Sequence, residues 1–205
     1  FAGPGKMMVE GVGEVAYENA IIATGSLPQI PPLFLTGDKR IWDSTAALAL
    51  IELPRKLLVV GGGYIGLELG SVYASLGSAV TVVEMTAGLL PGADPDLVRP
   101  LAARLGGKFE SILLSTKVAG LAEGEGGRLR VSMEGPAGAV STGDFDRILV
   151  SAGRRPNTAD LGLETAGLQA ETDGFIKTGP DRRTTARNIF VIGDAAGQPM
   201  LAHKA

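Results

Sequence analysis

The most constraining feature of the sequence is a run of three glycines between two apolar segments. Residues 56–60 (KLLVV) are apolar after Lys56, as expected for a short buried strand. Residues 64–76 place apolar side chains on one helical face, and Gly77 ends that helix. Residues 79–84 (AVTVVE) then form a second strand, and the whole span is close to the ~30 residues of one βαβ unit. The order predicts an α/β fold with parallel strands covered on both faces.

The glycines have the spacing of a dinucleotide-binding turn. Gly61-x-Gly63-x-x-Gly66 follows the first strand and opens the helix. Gly61 permits the turn, Gly63 leaves room for a diphosphate against the backbone, and Gly66 lets the helix pack on the sheet. The helix N-terminus adds free N–H groups and a positive dipole end. A glycine-rich turn without a ligand would contain the same residues, so this motif by itself leaves both interpretations open.

An acidic residue at the end of the second strand favours the dinucleotide interpretation. Glu84 follows Gly66 by about 18 residues, near the ~20 expected for a carboxylate that accepts from a ribose 2′-OH. A carboxylate there repels a 2′-phosphate, and residues 85–87 (MTA) offer no arginine to bind one. The sequence therefore predicts NAD rather than NADP. The alternative is that Glu84 only ends a strand.

Composition excludes several classes of protein and site. The 205 residues carry 19 basic and 22 acidic side chains, which gives no reason to expect nucleic acid or an anionic membrane as partner. No uncharged apolar stretch reaches ~18 residues, so a transmembrane helix is not expected. The absence of cysteine excludes disulfides, thiolate ligands and a cysteine nucleophile within these residues. One histidine, His203, is too little to predict a metal site, and structural and catalytic roles for it both stay open.

Further elements follow from local patterns. Asp43 can cap a short helix through Leu50, and residues 200–205 have the pattern of a helix opening. The remaining predictions are strands at 15–23, 145–150, 174–178 and 189–192, a helix at 95–105, and a meander at 112–134.

Three short segments leave alternatives open. Gly25 and the pair Gly193-Asp194 each follow a predicted strand, where they can form a turn or face a ligand. Arg154 and Arg155 can belong to a solvated turn or clamp a cofactor, and their spacing does not decide between the two.

The motifs taken together resemble the FAD-dependent pyridine nucleotide–disulfide oxidoreductases, and among them the members that reoxidise dihydrolipoamide. The resemblance covers nearly the whole chain. Its last stretch, residues 188–205, is specific because the family places FAD there. The matching stretches are residues 18–26, 40–50, 56–85, 116–118, 152–158 and 188–205.

The resemblance implies a domain organisation. Residues 37–156 would form a Rossmann-like NAD domain of three layers, with a central parallel sheet and a β-meander. It would be inserted into a partial FAD-binding domain made of residues 1–36 and 157–205. The implied cofactors are thus FAD and NAD.

The resemblance also assigns site residues. Tyr64 resembles an aromatic gate of some relatives, Ile65 and Glu68 would lie near the nicotinamide and flavin, and Asp194 would bind the flavin ribitol chain. A helix opening near residues 200–203 would point at the flavin pyrimidine ring. The implied NAD-binding residues are Gly61, Gly62, Gly63, Tyr64, Ile65, Gly66, Leu67, Glu68, Glu84, Val118 and Gly153. The implied FAD-binding residues are Gly5, Thr24, Gly25, Ser26, Asp194, Met200, Leu201, Ala202 and His203.

Family members pass electrons from a dithiol to an active-site disulfide, to FAD, and as hydride to NAD. The cysteine pair and the first FAD fingerprint are expected before Phe1, and the interface domain with its His–Glu pair after Ala205. No catalytic residue is therefore assigned within these residues, and we expect that they do not oxidise dihydrolipoamide alone.

The implied partners are a second copy in a homodimer and the lipoyl domain of a 2-oxoacid dehydrogenase acyltransferase. The implied location is the bacterial cytoplasm, or the mitochondrial matrix in a eukaryote. Alternatives are a flavoprotein of the NADH oxidase or mercuric reductase type, and a non-catalytic NAD-binding module. An NADPH-dependent relative of the glutathione reductase type is disfavoured by Glu84.

Overall fold

The computed structural model describes residues 1–204. Its strands and α-helices, in chain order, are β1 (Lys6–Val9), β2 (Gly13–Ala16), β3 (Ala20–Ile22), β4 (Ser26–Pro28), β5 (Ile41–Trp42), α1 (Ser44–Leu48), β6 (Lys56–Val60), α2 (Tyr64–Ser75), β7 (Ala79–Val83), α3 (Pro95–Gly106), β8 (Ser111–Leu113), β9 (Lys117–Glu123), β10 (Leu129–Glu134), β11 (Val140–Phe145), β12 (Arg147–Val150), β13 (Arg154–Pro156) and β14 (Ile189–Val191). Single 3₁₀ turns lie at Pro32–Phe34, Glu125–Gly127, Pro136–Gly138, Leu163–Ala166, Gly193–Ala195 and Ala202–Lys204.

The chain divides into two compact units, one continuous and one made of two segments. The continuous unit is Pro28–Gly153, and the other combines Phe1–Leu27 with Arg154–Ala205. The continuous unit is thus inserted in sequence between the two segments of the other, two-segment unit.

The continuous unit contains a five-stranded parallel sheet in the order β5-β12-β6-β7-β8. Side chains along β6 alternate between its two faces. Leu57 and Val59 pack with the three helices, whereas Leu58 packs with the antiparallel meander β9-β10-β11. Helices, sheet and meander form three layers, which confirms the predicted α/β class and explains why β6 after Lys56, and β7 apart from Thr81, are apolar.

The two-segment unit contains smaller sheets around its own core. Strands β3 and β14 pair in parallel, β1 and β2 form an antiparallel pair, and β13 pairs with β4, whose first two residues belong to this unit. The core includes Ile22, Ile176 and Val191.

The structure corrects three predicted elements. Residues 15–23 form parts of two strands, β2 and β3, because Tyr17 N–H donates to Gly5 O and the chain turns before Ala20. Residues 174–178 form no strand, although Ile176 is fully buried; its N–H donates to Ala195 O rather than to a neighbouring strand. The meander begins at Lys117 and gains a third strand, β11, which the sequence pattern did not reveal, whereas Ile112 lies in the parallel sheet.

Arg40 ties the segment before β5 to the meander. Its guanidinium donates to Asp38 at 2.6 Å and to the carbonyl of Gly127 at 3.0 Å, and it pairs with Glu123. These hydrogen bonds from Arg40 hold the pKa of the Asp38 carboxyl below its ordinary value. These contacts of Arg40 hold the edge strand β5 beside the β9–β10 turn.

Helix α2 is docked on α1 by a buried tyrosine. Tyr73 is 1% exposed, and its hydroxyl donates to Ala47 O at 2.7 Å. Burial raises the pKa of this hydroxyl. We expect Tyr73→Phe to lower the free energy of unfolding by about 1 kcal/mol, since the Ala47 carbonyl loses one of its hydrogen-bond donors. Urea unfolding followed by circular dichroism measures this. Tyr17→Phe is the control, and an equal loss there would contradict the role of the Tyr73 hydroxyl.

Candidate functional site

The turn after β6 has a backbone that only glycine adopts readily. Gly61 has φ +110°, and its N–H donates to Val83 O at 2.9 Å. A Cβ atom on Gly61 would lie 2.5 Å from the carbonyl oxygen of Ser151. The left-handed conformation and this close approach both require a glycine at the position.

Gly66 brings helix α2 against the carboxyl ends of β6 and β12. A Cβ on Gly66 would overlap the carbonyl oxygen of Gly61 and lie 2.5 Å from Ser151 Oγ and 3.0 Å from Val59 Cγ1. Ser151 Oγ in turn lies 3.1 Å from Val60 O, to which it donates. Sequence reasoning missed Ser151, and no signal in the sequence distinguishes it from any other serine after a strand.

Gly63 lies at the start of α2 and faces open space. It is the residue before Tyr64, with extended φ and ψ of −77° and 176°, and Leu67 N–H donates to its carbonyl at 3.1 Å. No atom would lie within 4 Å of a Cβ built on Gly63. The first turn of a twelve-residue helix is therefore approachable along its backbone, which is the condition for binding an anionic group.

Glu84 is held against the glycine turn by two backbone donors. The residue is 8% exposed; Gly62 N–H donates to Oε2 and Thr86 N–H donates to Oε1, each at 2.7 Å. Each carboxylate oxygen can accept more than one hydrogen bond, so lone pairs stay available for a hydroxyl group. The structure thus brings the predicted acid and the predicted turn into direct contact.

Gly62 has a packing role that the spacing of the motif does not require. A Cβ there would lie 2.9 Å from Leu89 Cδ2 and 3.0 Å from Glu84 Cβ. Its carbonyl accepts from Leu90 N–H at 2.9 Å. The segment after β7 therefore covers one side of the turn.

The other residues assigned to NAD lie in different environments. Tyr64 and Glu68 are exposed on α2, and Ile65 is half-buried against the helix-side core. Leu67 is 4% exposed within that core, so its side chain packs rather than facing a ligand. Val118 is half-buried beside the meander core, and Gly153 is exposed with φ +140°.

In the two-segment unit, four of the residues assigned to FAD lie together at the carboxyl ends of two parallel strands. Thr24, Gly25 and Ser26 follow β3, and Asp194 follows β14, whose strands are parallel. Ser26 Oγ donates to Asp194 Oδ2. Gly25 has φ +69°, and its carbonyl accepts from Asn157 N–H at 2.9 Å.

The remaining assigned residues are less closely grouped. Gly5 has φ +69°, and its carbonyl is the acceptor of the Tyr17 N–H. Met200 is buried, Leu201 is half-buried, and Ala202 and His203 are exposed in the 3₁₀ turn Ala202–Lys204. The end of the helix predicted at 200–205 falls on Ala205, outside the described residues. Within residues 1–204, no group of three or more His, Cys, Asp or Glu side chains could hold a metal ion.

Comparison with known proteins decides the family. The family model described as pyridine nucleotide-disulphide oxidoreductase matches residues 3–205. The chain belongs to this family. The resemblance seen in the motifs is thereby confirmed.

Related proteins are similar over the whole chain. It is 48% identical over 207 aligned residues to a dihydrolipoyl dehydrogenase of Vibrio parahaemolyticus, covering 100% of this chain and 43% of that protein. It is 42% identical to a mitochondrial dihydrolipoyl dehydrogenase of Dictyostelium discoideum, covering 95% and 40%. An HOCl-induced flavoprotein disulfide reductase of Escherichia coli has a similar structure, with a TM-score of 0.86, 32% identity and coverage of 99% and 46%. The chain therefore spans less than half the length of these relatives.

Among the described residues, no helix is long and apolar enough to cross a membrane.

Proposed function

We propose that the unit Pro28–Gly153 binds NAD(H). The proposal rests on one arrangement of two features. Open space lies along the backbone of Gly63 at the start of α2, and Glu84 is fixed against the neighbouring Gly62. The first feature suits a diphosphate, and the second suits an unmodified ribose. The geometry therefore fits both the diphosphate and the ribose of an adenosine diphosphate moiety.

Within this proposal each residue has a physical task. The N–H groups of the first turn of α2 bind the diphosphate, and Gly61 and Gly66 hold that turn in place. Glu84 accepts from a ribose hydroxyl through its remaining lone pairs. Tyr64, Ile65, Glu68, Val118 and Gly153 belong to the proposed site as further lining residues, whereas Leu67 supports it from the core. When bound, the nicotinamide ring supplies the hydride chemistry.

We infer that the two-segment unit contributes part of an FAD site. Its support is the cluster of Thr24, Gly25, Ser26 and Asp194 at the carboxyl ends of two parallel strands, where ligands bind in open α/β sheets. Asp194 offers an acceptor for a polyol hydroxyl. Gly5 and residues 200–203 complete the assignment. The domain boundaries near 37 and 156 that the resemblance implies are part of the same proposal, and they lie nine and three residues after the limits of the unit Pro28–Gly153.

For the whole protein we propose dihydrolipoyl dehydrogenase activity, in which a dihydrolipoyl dithiol is oxidised to its disulfide and NAD⁺ is reduced to NADH with release of a proton. The names of the two dihydrolipoyl dehydrogenases compared above support this. The 205 residues contain no cysteine, so the reactive disulfide has to come from chain outside them. A homodimer, a lipoyl-carrying acyltransferase as partner, and a cytoplasmic or mitochondrial location complete the proposal.

The nucleotide preference tests the NAD site. Titrating this chain with NADH and NADPH, followed by nucleotide fluorescence, is expected to give binding of NADH in about the micromolar range. NADPH is expected to bind about a hundredfold more weakly, since its 2′-phosphate would face the Glu84 carboxylate at a cost of about 3 kcal/mol. Equal affinities would remove the role given to Glu84, and the absence of binding in a folded sample would refute the site.

A second candidate is a flavoprotein disulfide reductase that acts on another substrate. It is favoured by the structural similarity to the Escherichia coli reductase, at a TM-score of 0.86. The full-length protein separates the two: NAD⁺ reduction by dihydrolipoamide supports the first, and its absence in an FAD-loaded, NADH-oxidising preparation supports the second.

A further inference from the structure

Arg154, Ser26 and Asp194 form a hydrogen-bonded chain at the edge where β3 and β14 end. Arg154 Nε donates to Ser26 Oγ, and Arg154 Nη2 donates to the Ser26 carbonyl, each at 2.6 Å. Ser26 Oγ donates to Asp194 Oδ2, and Arg154 Nε lies 3.9 Å from that oxygen. The Arg154 guanidinium thus donates two hydrogen bonds to Ser26, and the Ser26 hydroxyl donates one to Asp194.

The order of donors and acceptors along these hydrogen bonds from Arg154 to Ser26 to Asp194 is fixed. A serine hydroxyl has one proton and two lone pairs. Because Arg154 Nε occupies a lone pair of Ser26 Oγ, the hydroxyl proton is directed at Asp194. The side chains of Arg154 and Asp194 are only 22% and 23% exposed, so water competes weakly for these bonds. The carboxylate of Asp194 is therefore held in one orientation before any ligand is present.

The second carboxylate oxygen stays available. Among residues 1–204, none donates a hydrogen bond to Asp194 Oδ1. A carboxylate whose one oxygen is occupied by protein and whose other oxygen is not is arranged to accept from a hydroxyl group of a ligand.

The neighbouring arginine has no such connection. Arg155 follows Arg154 in β13, where successive side chains point to opposite faces. Its side chain is exposed, and within the described residues it forms no ion pair or hydrogen bond. The two arginines are adjacent in the sequence, yet only Arg154 reaches the Ser26–Asp194 pair.

We propose that Arg154 and Ser26 are positioning residues for FAD: they orient the Asp194 carboxylate so that Oδ1 accepts from a hydroxyl of the flavin polyol chain. This role rests on the proposed FAD site. Arg154 and Ser26 act through Asp194 and need no contact with the flavin. Lysine would not replace Arg154 fully, because an ammonium group lacks the planar fork that bonds both Ser26 oxygens.

The test measures FAD affinity in the full-length protein by the recovery of protein-bound flavin absorbance after apoprotein preparation. Arg154→Met is expected to weaken FAD binding about tenfold, the value of one charge-assisted hydrogen-bond system. Ser26→Ala is expected to weaken it in the same direction. Arg155→Met is the matched control and is expected to change the affinity less than twofold.

A double-mutant cycle distinguishes positioning from general stabilisation. In an Asp194→Asn background, Arg154→Met is expected to have little further effect, because residues in one hydrogen-bonded network are not additive. An undiminished tenfold loss in that background would overturn the proposal, as would an equal loss in Arg155→Met. If Arg154→Met does not fold, the cycle with Ser26→Ala decides in the same way.

The outcomes also separate this role from the function it rests on. A wild-type protein that binds no FAD would overturn the proposed function and this role together. FAD binding that is insensitive to Arg154→Met and Ser26→Ala would overturn only the positioning role.

Discussion

Replacing Gly66 with alanine is expected to lower the free energy of unfolding by about 3 kcal/mol, the upper end of what overpacking costs. The added methyl group would overlap Gly61 O and press on Ser151 Oγ and Val59 at once. Two of these contacts involve the turn and the strand end that α2 rests on, so the helix has to move outward. Urea unfolding measures the loss, and NADH titration is expected to show weaker binding because the first turn of α2 moves with the helix.

Gly88→Ala is the control for this substitution. Gly88 has no atom within 4 Å of a built Cβ and no positive φ, so alanine fits there without strain. Its stability is expected to match the wild type within about 0.5 kcal/mol. A loss below about 1 kcal/mol in Gly66→Ala would mean that α2 is not held as close to β6 as described.

Glu84→Ala is expected to weaken NADH binding by about 10- to 100-fold, corresponding to the ~1.5–3 kcal/mol of a hydrogen bond to a charged group. It is also expected to lower the free energy of unfolding by about 2 kcal/mol, since Gly62 and Thr86 lose the acceptor of their N–H groups. Both quantities change together because one carboxylate serves the ligand and the turn. NADH titration and urea unfolding of the same preparation measure them.

Two variants make this prediction specific. Glu84→Gln keeps one carbonyl acceptor and is expected to fall between wild type and alanine in stability. Glu110→Ala removes an exposed acid from the same unit and is expected to change neither quantity. Loss of stability in Glu84→Ala with full NADH affinity would show that the carboxylate only ties the turn to its strand.

The site of the continuous unit follows largely from the sequence because its parts are close along the chain. Strand, glycine turn, helix and second strand lie within residues 56–84, and local periodicity specifies each of them. The contact between Glu84 and the turn then follows from the parallel pairing of β6 and β7. By contrast, Ser151 reaches the same turn from β12, and no local pattern indicates that approach.

The errors in the fold have a common cause. Residues 174–178 (GFIKT) contain the aromatic and β-branched residues of a strand, yet Ile176 is buried in the core of the two-segment unit with its N–H donating to Ala195 O in a 3₁₀ turn rather than to a strand. The segment 15–23 is mostly apolar, but the chain turns at its two polar residues, Glu18 and Asn19, before β3 begins. The residue types are typical of a strand in both segments, whereas the hydrogen-bond partner that makes a strand comes from elsewhere in the chain.

The sequence by itself determined the family, the α/β class, and the turn and acid of the proposed NAD site, because these depend on residue types at short spacing. Only the tertiary structure decided which of the two adjacent arginines bonds to Ser26 and lies near Asp194. Arg154 contacts Ser26 and lies near Asp194 because segments that are distant in the sequence come together where β3 and β14 end. This contact depends on strand pairing rather than on local sequence. A residue's neighbours along the chain specify its conformation, but its partners across the fold specify what its side chain does.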